Sequence, residues 1–95
     1  MMNISQSVLS DIRKYAMLRD IRKVILFGSR ARGTNSPKSD IDIAVSGGNI
    51  FDFYYDLEEK AHTLLMFDVI DLDKGINSEL AADIDKDGVV IYEKV

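Results

Sequence analysis

Residues 28–42 combine types that could together handle a phosphate and a metal ion. Gly28-Ser29 is followed, after the ten residues 30 to 39, by Asp40-Ile41-Asp42. Glycine has no side chain, so a phosphate can approach the backbone at Gly28. The stretch Ser29 to Gly33 suits a short helical turn, whose first N–H groups are free to face an anion. The Ser29 hydroxyl adds a neutral donor. Asp40 and Asp42 stand two apart in a strand-like run, so both side chains leave the same face. Carboxylates this close repel each other unless a cation sits between them. With a divalent ion the pair becomes a clamp that orients a triphosphate and neutralises charge on a transferred group. A lone D-x-D usually marks a solvated strand end. The combination, at this spacing and between two apolar runs, carries the meaning.

The run Gly28-Ser29-Arg30-Ala31-Arg32-Gly33, with Ser39-Asp40-Ile41-Asp42 after it, resembles the motif of the DNA polymerase β-like nucleotidyltransferases. Within them it is most similar to the minimal nucleotidyltransferases (MNT) that pair with HEPN-domain partners. The resemblance spans essentially the whole chain and includes Phe67-Asp68-Val69-Ile70-Asp71-Leu72, similar to the family's third-carboxylate strand. It implies that Gly28 and Ser29 hold phosphates and that Asp40 and Asp42 bind two Mg²⁺ ions. Asp68 is then the third carboxylate, binding one metal and serving as base for the attacking hydroxyl. Asp71 is the alternative, but three positions along a strand it faces the other side, so only one of the two can join the pair. The family pattern uses the first acid.

The reaction so implied is attack on the α-phosphate of a nucleoside triphosphate, ATP by resemblance, with pyrophosphate leaving. The implied acceptor is a hydroxyl on a HEPN ribonuclease toxin. Adding AMP would silence it, making this chain the antitoxin of a type VII-like toxin–antitoxin module. Larger relatives add an acceptor-holding domain for which 95 residues leave no room, so a partner is expected to bring the acceptor. Two other readings stand beside this one: an antitoxin that masks its partner without chemistry, and a module that binds Mg-ATP as a sensor.

Other residues have plainer readings. Arg32 either steadies phosphates or pairs with an acid, whereas Arg30 is expected in solvent. Ser39 either orients its loop or touches a phosphate, and Gly33 serves backbone geometry. His62 is expected on a helix in a surface or structural role. Phe51, Phe53, Tyr54 and Tyr55 divide between core and a possible partner surface. Asp83, Asp85 and Asp87 are spaced like part of a calcium loop but lack its closing glutamate, so they read as a solvated helix end.

The elements that must position these residues follow from periodicity. Ile4, Val8, Leu9, Ile12, Tyr15, Ala16 and Leu18 fit an amphipathic helix over 4–18, with Asn3 or Ser5 as cap. Lys23–Phe27 is an apolar run ended by Gly28, and Ile41–Val45 is a second strand ended by Ser46-Gly47-Gly48. Thr34 to Ser39 is rich in turn formers. An apolar stripe from Ile50 to Leu65 predicts a helix over 50–65. Met66–Leu72 is a third strand, 77–86 a helix and Val89–Tyr92 a last strand. The order α-β-α-β-α-β-α-β predicts an α/β (α+β) fold, a small mixed sheet with helical cover, in one domain over 1–95.

Composition limits the alternatives. No cysteine is present, which excludes disulfides and thiolate-bound zinc. One histidine makes a histidine metal site or a His-dependent triad unsuitable, so a metal needs oxygen ligands. A net charge of −4 opposes broad attraction to nucleic acid or an anionic membrane. No apolar run reaches membrane-span length and the first residues lack a signal-peptide layout, so a cytoplasmic location is expected.

Overall fold

The computed structural model describes residues 2–95. Helix α1 (Gln6–Leu18) leads to strand β1 (Lys23–Phe27), which runs directly into the short helix α2 (Gly28–Arg32). Strand β2 (Ile41–Ser46), helix α3 (Ile50–Lys60) and strand β3 (Phe67–Asp71) follow. A 3₁₀ turn at Leu72–Lys74 precedes helix α4 (Ser78–Asp87) and strand β4 (Val89–Glu93). The predicted mixed α/β order is therefore the observed one. No helix of the described residues is long and apolar enough to cross a membrane.

Three helices start where a short polar side chain meets the first turn. Ser5 accepts from the Val8 N–H, Asn49 from that of Asp52 and Asn77 from that of Leu80. Each satisfies one of the amides that a helix start leaves without an intrahelical partner. Ser5, not Asn3, is the cap of α1.

The sheet order is β3-β2-β1-β4. β1 is antiparallel to both neighbours, while β2 and β3 are parallel and joined through α3. Side chains alternate across this sheet. Val24, Leu26, Ile41, Ile43, Val45 and Phe67 pack with α1 and α3 residues such as Ile12 and Phe53. Phe27 and Ala44 face the other way, with Ile84 of α4 and the half-buried Ile25 and Ile70. By the two-residue period, Asp42 and Asp68 belong to this second face, on the α4 side.

Two buried carboxylates tie the α1–α3 side together. The Asp56 side chain, 3% exposed, accepts from Arg19 Nε at 2.7 Å and Nη2 at 3.2 Å, with Lys60 Nζ at 3.4 Å. The Arg19 hydrogen bond, opposed in part by burial, holds Asp56 below the ordinary carboxylate pKa of 3.8. A carboxyl with a depressed folded-state pKa adds stability above its unfolded value, which disappears as pH falls through the folded value. Melting followed from pH 7 downward should therefore keep this contribution until pH drops below about 3.8. Asp56→Ala should lower stability by about 2 kcal/mol at neutral pH, roughly 8–16 °C in melting temperature for a domain this size. An unchanged melting temperature would refute this role.

The helix expected over 50–65 stops at Lys60. Ala61 is already extended (φ −67°, ψ 147°), and Leu64 is fully exposed rather than on a core stripe. The reason lies 51 residues away in sequence. Buried Asp11 on α1 accepts both the His62 backbone N–H at 2.8 Å and a bond with His62 Nδ1 at 2.7 Å. Burial pushes the Asp11 carboxyl up, but these bonds from His62 outweigh it and hold the pKa below the ordinary value. His62 thus lies beyond the helix, pinning the segment that enters β3.

Candidate active site

Asp42 and Asp68 are register partners on the parallel strands β2 and β3. The pairing places their side chains next to each other on one face. Asp40 immediately precedes β2 and is exposed; the strand itself begins at Ile41. The three acids sense one another. Burial first, then the charge of Asp68, then that of Asp40, raise the Asp42 pKa above the ordinary carboxylate value, while Arg32 pulls it the other way. Asp71 lies opposite Val45 in the register, on the other face, and accepts the Asp73 N–H at 2.9 Å as cap of the 3₁₀ turn. Of the two acids of β3, the structure brings Asp68 to Asp42 and gives Asp71 to the backbone.

Gly28 meets the same cluster. It sits at the β1–α2 junction, its φ is +74°, and Phe27 is the register partner of Asp42. A Cβ on Gly28 would overlap Asp42 Oδ2 and come within 3.2 Å of its Cγ. The glycine is thus required twice, for its left-handed backbone and for the carboxylate beside it. Ser29 follows on the first turn of α2, and Gly33 closes that turn at φ +79°.

As they stand, no three acidic or histidine side chains among the described residues converge tightly enough to enclose an ion. The chemistry of the donors nevertheless suits Mg²⁺, which takes oxygen ligands and few protein carboxylates. The absence of a Cβ at Gly28 lets the Asp42 carboxylate lie directly against the backbone at the start of α2. A cavity of about 330 Å³ opens between β3 and α3, with Phe51 and Tyr54 on one wall and Phe67, Val69 and Asp71 on the other.

Residues 10–95 match the sequence family described as Polymerase beta, Nucleotidyltransferase. The chain belongs to that family. A Methanocaldococcus jannaschii protein provisionally named a protein adenylyltransferase is 48% identical to this chain over 50 residues. The matched segment is 53% of this chain and 48% of that protein, so the match spans about half the length of the relative. Solved structures share the fold. One, described as a toxin–antitoxin with AMP-PNP, superposes with a TM-score of 0.71 at 24% identity, covering 90% of this chain and 73% of the other. A second, a mutant form of the toxin–antitoxin MntA-HpeT, gives 0.70 at 22% identity over the same shares.

Several side chains around the site differ from their sequence-based expectation. Arg30 is buried rather than solvated, 7% exposed. Its guanidinium donates to the carbonyls of Ser39 at 3.0 Å, Pro37 at 3.2 Å and Asn3 at 3.3 Å. It therefore fixes the loop that delivers Asp40. Arg32, two positions on, cannot share that face of a helix and remains half-exposed. Arg32 Nη1 donates to Asp87 Oδ2 at 3.0 Å, so Asp87 is an ion-pair partner and not part of a solvated helix end; Asp83 and Asp85 are exposed as expected. Ser39 orients its loop: its hydroxyl accepts the Ser36 N–H at 2.9 Å. Of the aromatic residues on α3, Phe53 is core, while Phe51 and Tyr55 are exposed.

Proposed function

We propose that this chain transfers a nucleoside monophosphate, AMP from ATP, onto a hydroxyl of a partner protein. The observation that carries the reading is the registered Asp42–Asp68 pair, with Asp40 beside it and Gly28 held against Asp42. Family membership supports nucleotidyl transfer, and the provisional name of the Methanocaldococcus jannaschii relative supports protein as the acceptor class.

Asp40 and Asp42, with Asp68, would hold two Mg²⁺ ions. Bound there, the ions neutralise the triphosphate and stabilise charge on the departing group. The chain's own residues do the rest. Gly28 would let the phosphates approach the backbone, and Ser29, Arg32 and Ser39 would steady them. The carboxylate of Asp68 takes the proton of the acceptor hydroxyl. That oxygen forms a bond to the α-phosphorus, and the bond to the bridging oxygen breaks, its electron pair leaving with pyrophosphate.

The partner we propose is a HEPN-domain ribonuclease toxin, silenced by modification, with this chain as antitoxin acting in the cytoplasm. The family resemblance motivates this, and the toxin–antitoxin descriptions of the two structures of like fold support it. Intact mass of the purified HEPN partner, after incubation with this protein, ATP and Mg²⁺, tests it. The expected result is a gain of one or more AMP units that vanishes with Asp40→Ala. No gain, with a stable complex still formed, would overturn transfer and favour inhibition by masking.

A further inference from the structure

We propose that Asp87 is a positioning residue of the nucleotide site, holding Arg32 off the carboxylates and ready for phosphate. The inference rests on the nucleotide-transfer reading above and extends the site to α4, an element that reading does not use.

Arg32 is the last residue of α2 and Asp87 the last of α4. Their contact, Nη1 to Oδ2 at 3.0 Å, links α2, the helix that carries Gly28 and Ser29, to α4, which covers the carboxylate face of the sheet. The Asp87 side chain is 16% exposed and that of Arg32 46%. An acid at a helix C-terminus faces the negative end of the helix dipole, so that position disfavours Asp87 unless a cation answers it. An isolated ion pair this exposed adds little stability. Holding the fold together therefore does not account for it.

Asp87 is also rigidly placed. Ile84, one turn earlier, packs against Phe27 and Ala44. The following Gly88 donates its N–H to the Ile84 carbonyl at 2.8 Å, and a Cβ there would overlap that carbonyl oxygen. The tether for Arg32 is thus fixed to the apolar cluster that underlies the site.

Of the charges that act on Asp42, Arg32 is the one cation. Without a competing partner, its guanidinium would be drawn to Asp42 and would neutralise a carboxylate needed for the metal. Asp87 supplies that competitor. It engages one of the five guanidinium N–H donors and leaves the others for phosphate oxygens.

The test is a double-mutant cycle on ATP binding by calorimetry, with and without Mg²⁺, using wild type, Asp87→Ala, Arg32→Ala and the double variant. If Asp87 acts through Arg32, each single change weakens ATP binding about tenfold, and the double variant binds no worse than Arg32→Ala. Unchanged binding in Asp87→Ala, or a double variant that sums both losses, overturns the inference. Melting curves report folding, and Asp87→Asn replaces Asp87→Ala in the cycle should the latter unfold. Wild type that fails to bind ATP removes the nucleotide reading and this inference together; wild-type binding with a normal Asp87→Ala removes the inference alone.

Discussion

Asp42→Asn should reduce nucleotidyl transfer by about a thousandfold or more while leaving the protein at least as stable as before. A thousandfold is about 4 kcal/mol of transition-state stabilisation, the scale expected when one ligand of a metal clamp is lost. The stability half of the prediction has its own sign. Burial and the neighbouring Asp68 and Asp40 raise the Asp42 pKa. A carboxyl whose folded value lies above its unfolded value binds its proton more tightly in the native state. It therefore costs stability once pH exceeds both values, which includes neutral pH. The neutral isostere relieves that cost. Pyrophosphate release and thermal melting on the same preparations check both halves. Transfer that survives the change would refute the assigned role of Asp42. A melting temperature lowered by many degrees would mean that the carboxylate is structural.

Gly28→Ala should lower both quantities, losing activity together with some stability. A non-glycine residue at φ +74° costs about 1–2 kcal/mol, roughly 5–15 °C in melting temperature for a domain of this size. The new methyl group also overlaps Asp42 Oδ2. The obstruction is the end of a short side chain and not backbone, so Asp42 gives way by rotating. The overlap therefore adds little to the folding cost, but it turns the carboxylate out of the cluster. Activity should fall nearly as far as in Asp42→Asn. Adding Asp42→Ala to Gly28→Ala should return none of the activity and recover only the small clash component of stability. If Gly28→Ala retained full transfer, the close approach to Asp42 would not matter.

The elements that carry the carboxylates were legible because each is written locally. Ile41–Val45 and Met66–Leu72 are apolar runs with acids at set positions, bounded by turn formers, and the observed strands differ from them by a residue at most ends. The two-residue period allows only one of Asp68 and Asp71 to join the pair and the family resemblance chooses Asp68; the register adds the reason Asp71 is spent elsewhere: it caps the turn after β3. What the sequence withheld depends on partners far along the chain. The apolar stripe of α3 continues formally through Leu64 and Leu65, and no glycine or proline marks an end at Lys60. The stop comes from Asp11, whose carboxylate captures His62. Arg30 is an ordinary surface arginine by pattern, yet three carbonyls from two separate segments converge on it. Asp87 is one of three acids in alternation, and only the proximity of α2 to the end of α4 distinguishes it.

The place of β3 at the border of the sheet has a consequence for when the site exists. Asp68 rides on a strand with a single strand neighbour, whereas Asp42 is on a strand flanked on both sides. Proteins open locally in cooperative units, and peripheral segments open at lower free energy than the centre. Detaching β3 from β2 would dissolve the Asp42–Asp68 pair while β1, β2 and α1 remained folded. Competence is then a population, set by how firmly that outer strand is seated, and it can be lost well below the temperature at which the protein melts. Whatever grips β3, the Asp11–His62 contact from within or a bound partner from without, sets the fraction of molecules in which the carboxylates face one another.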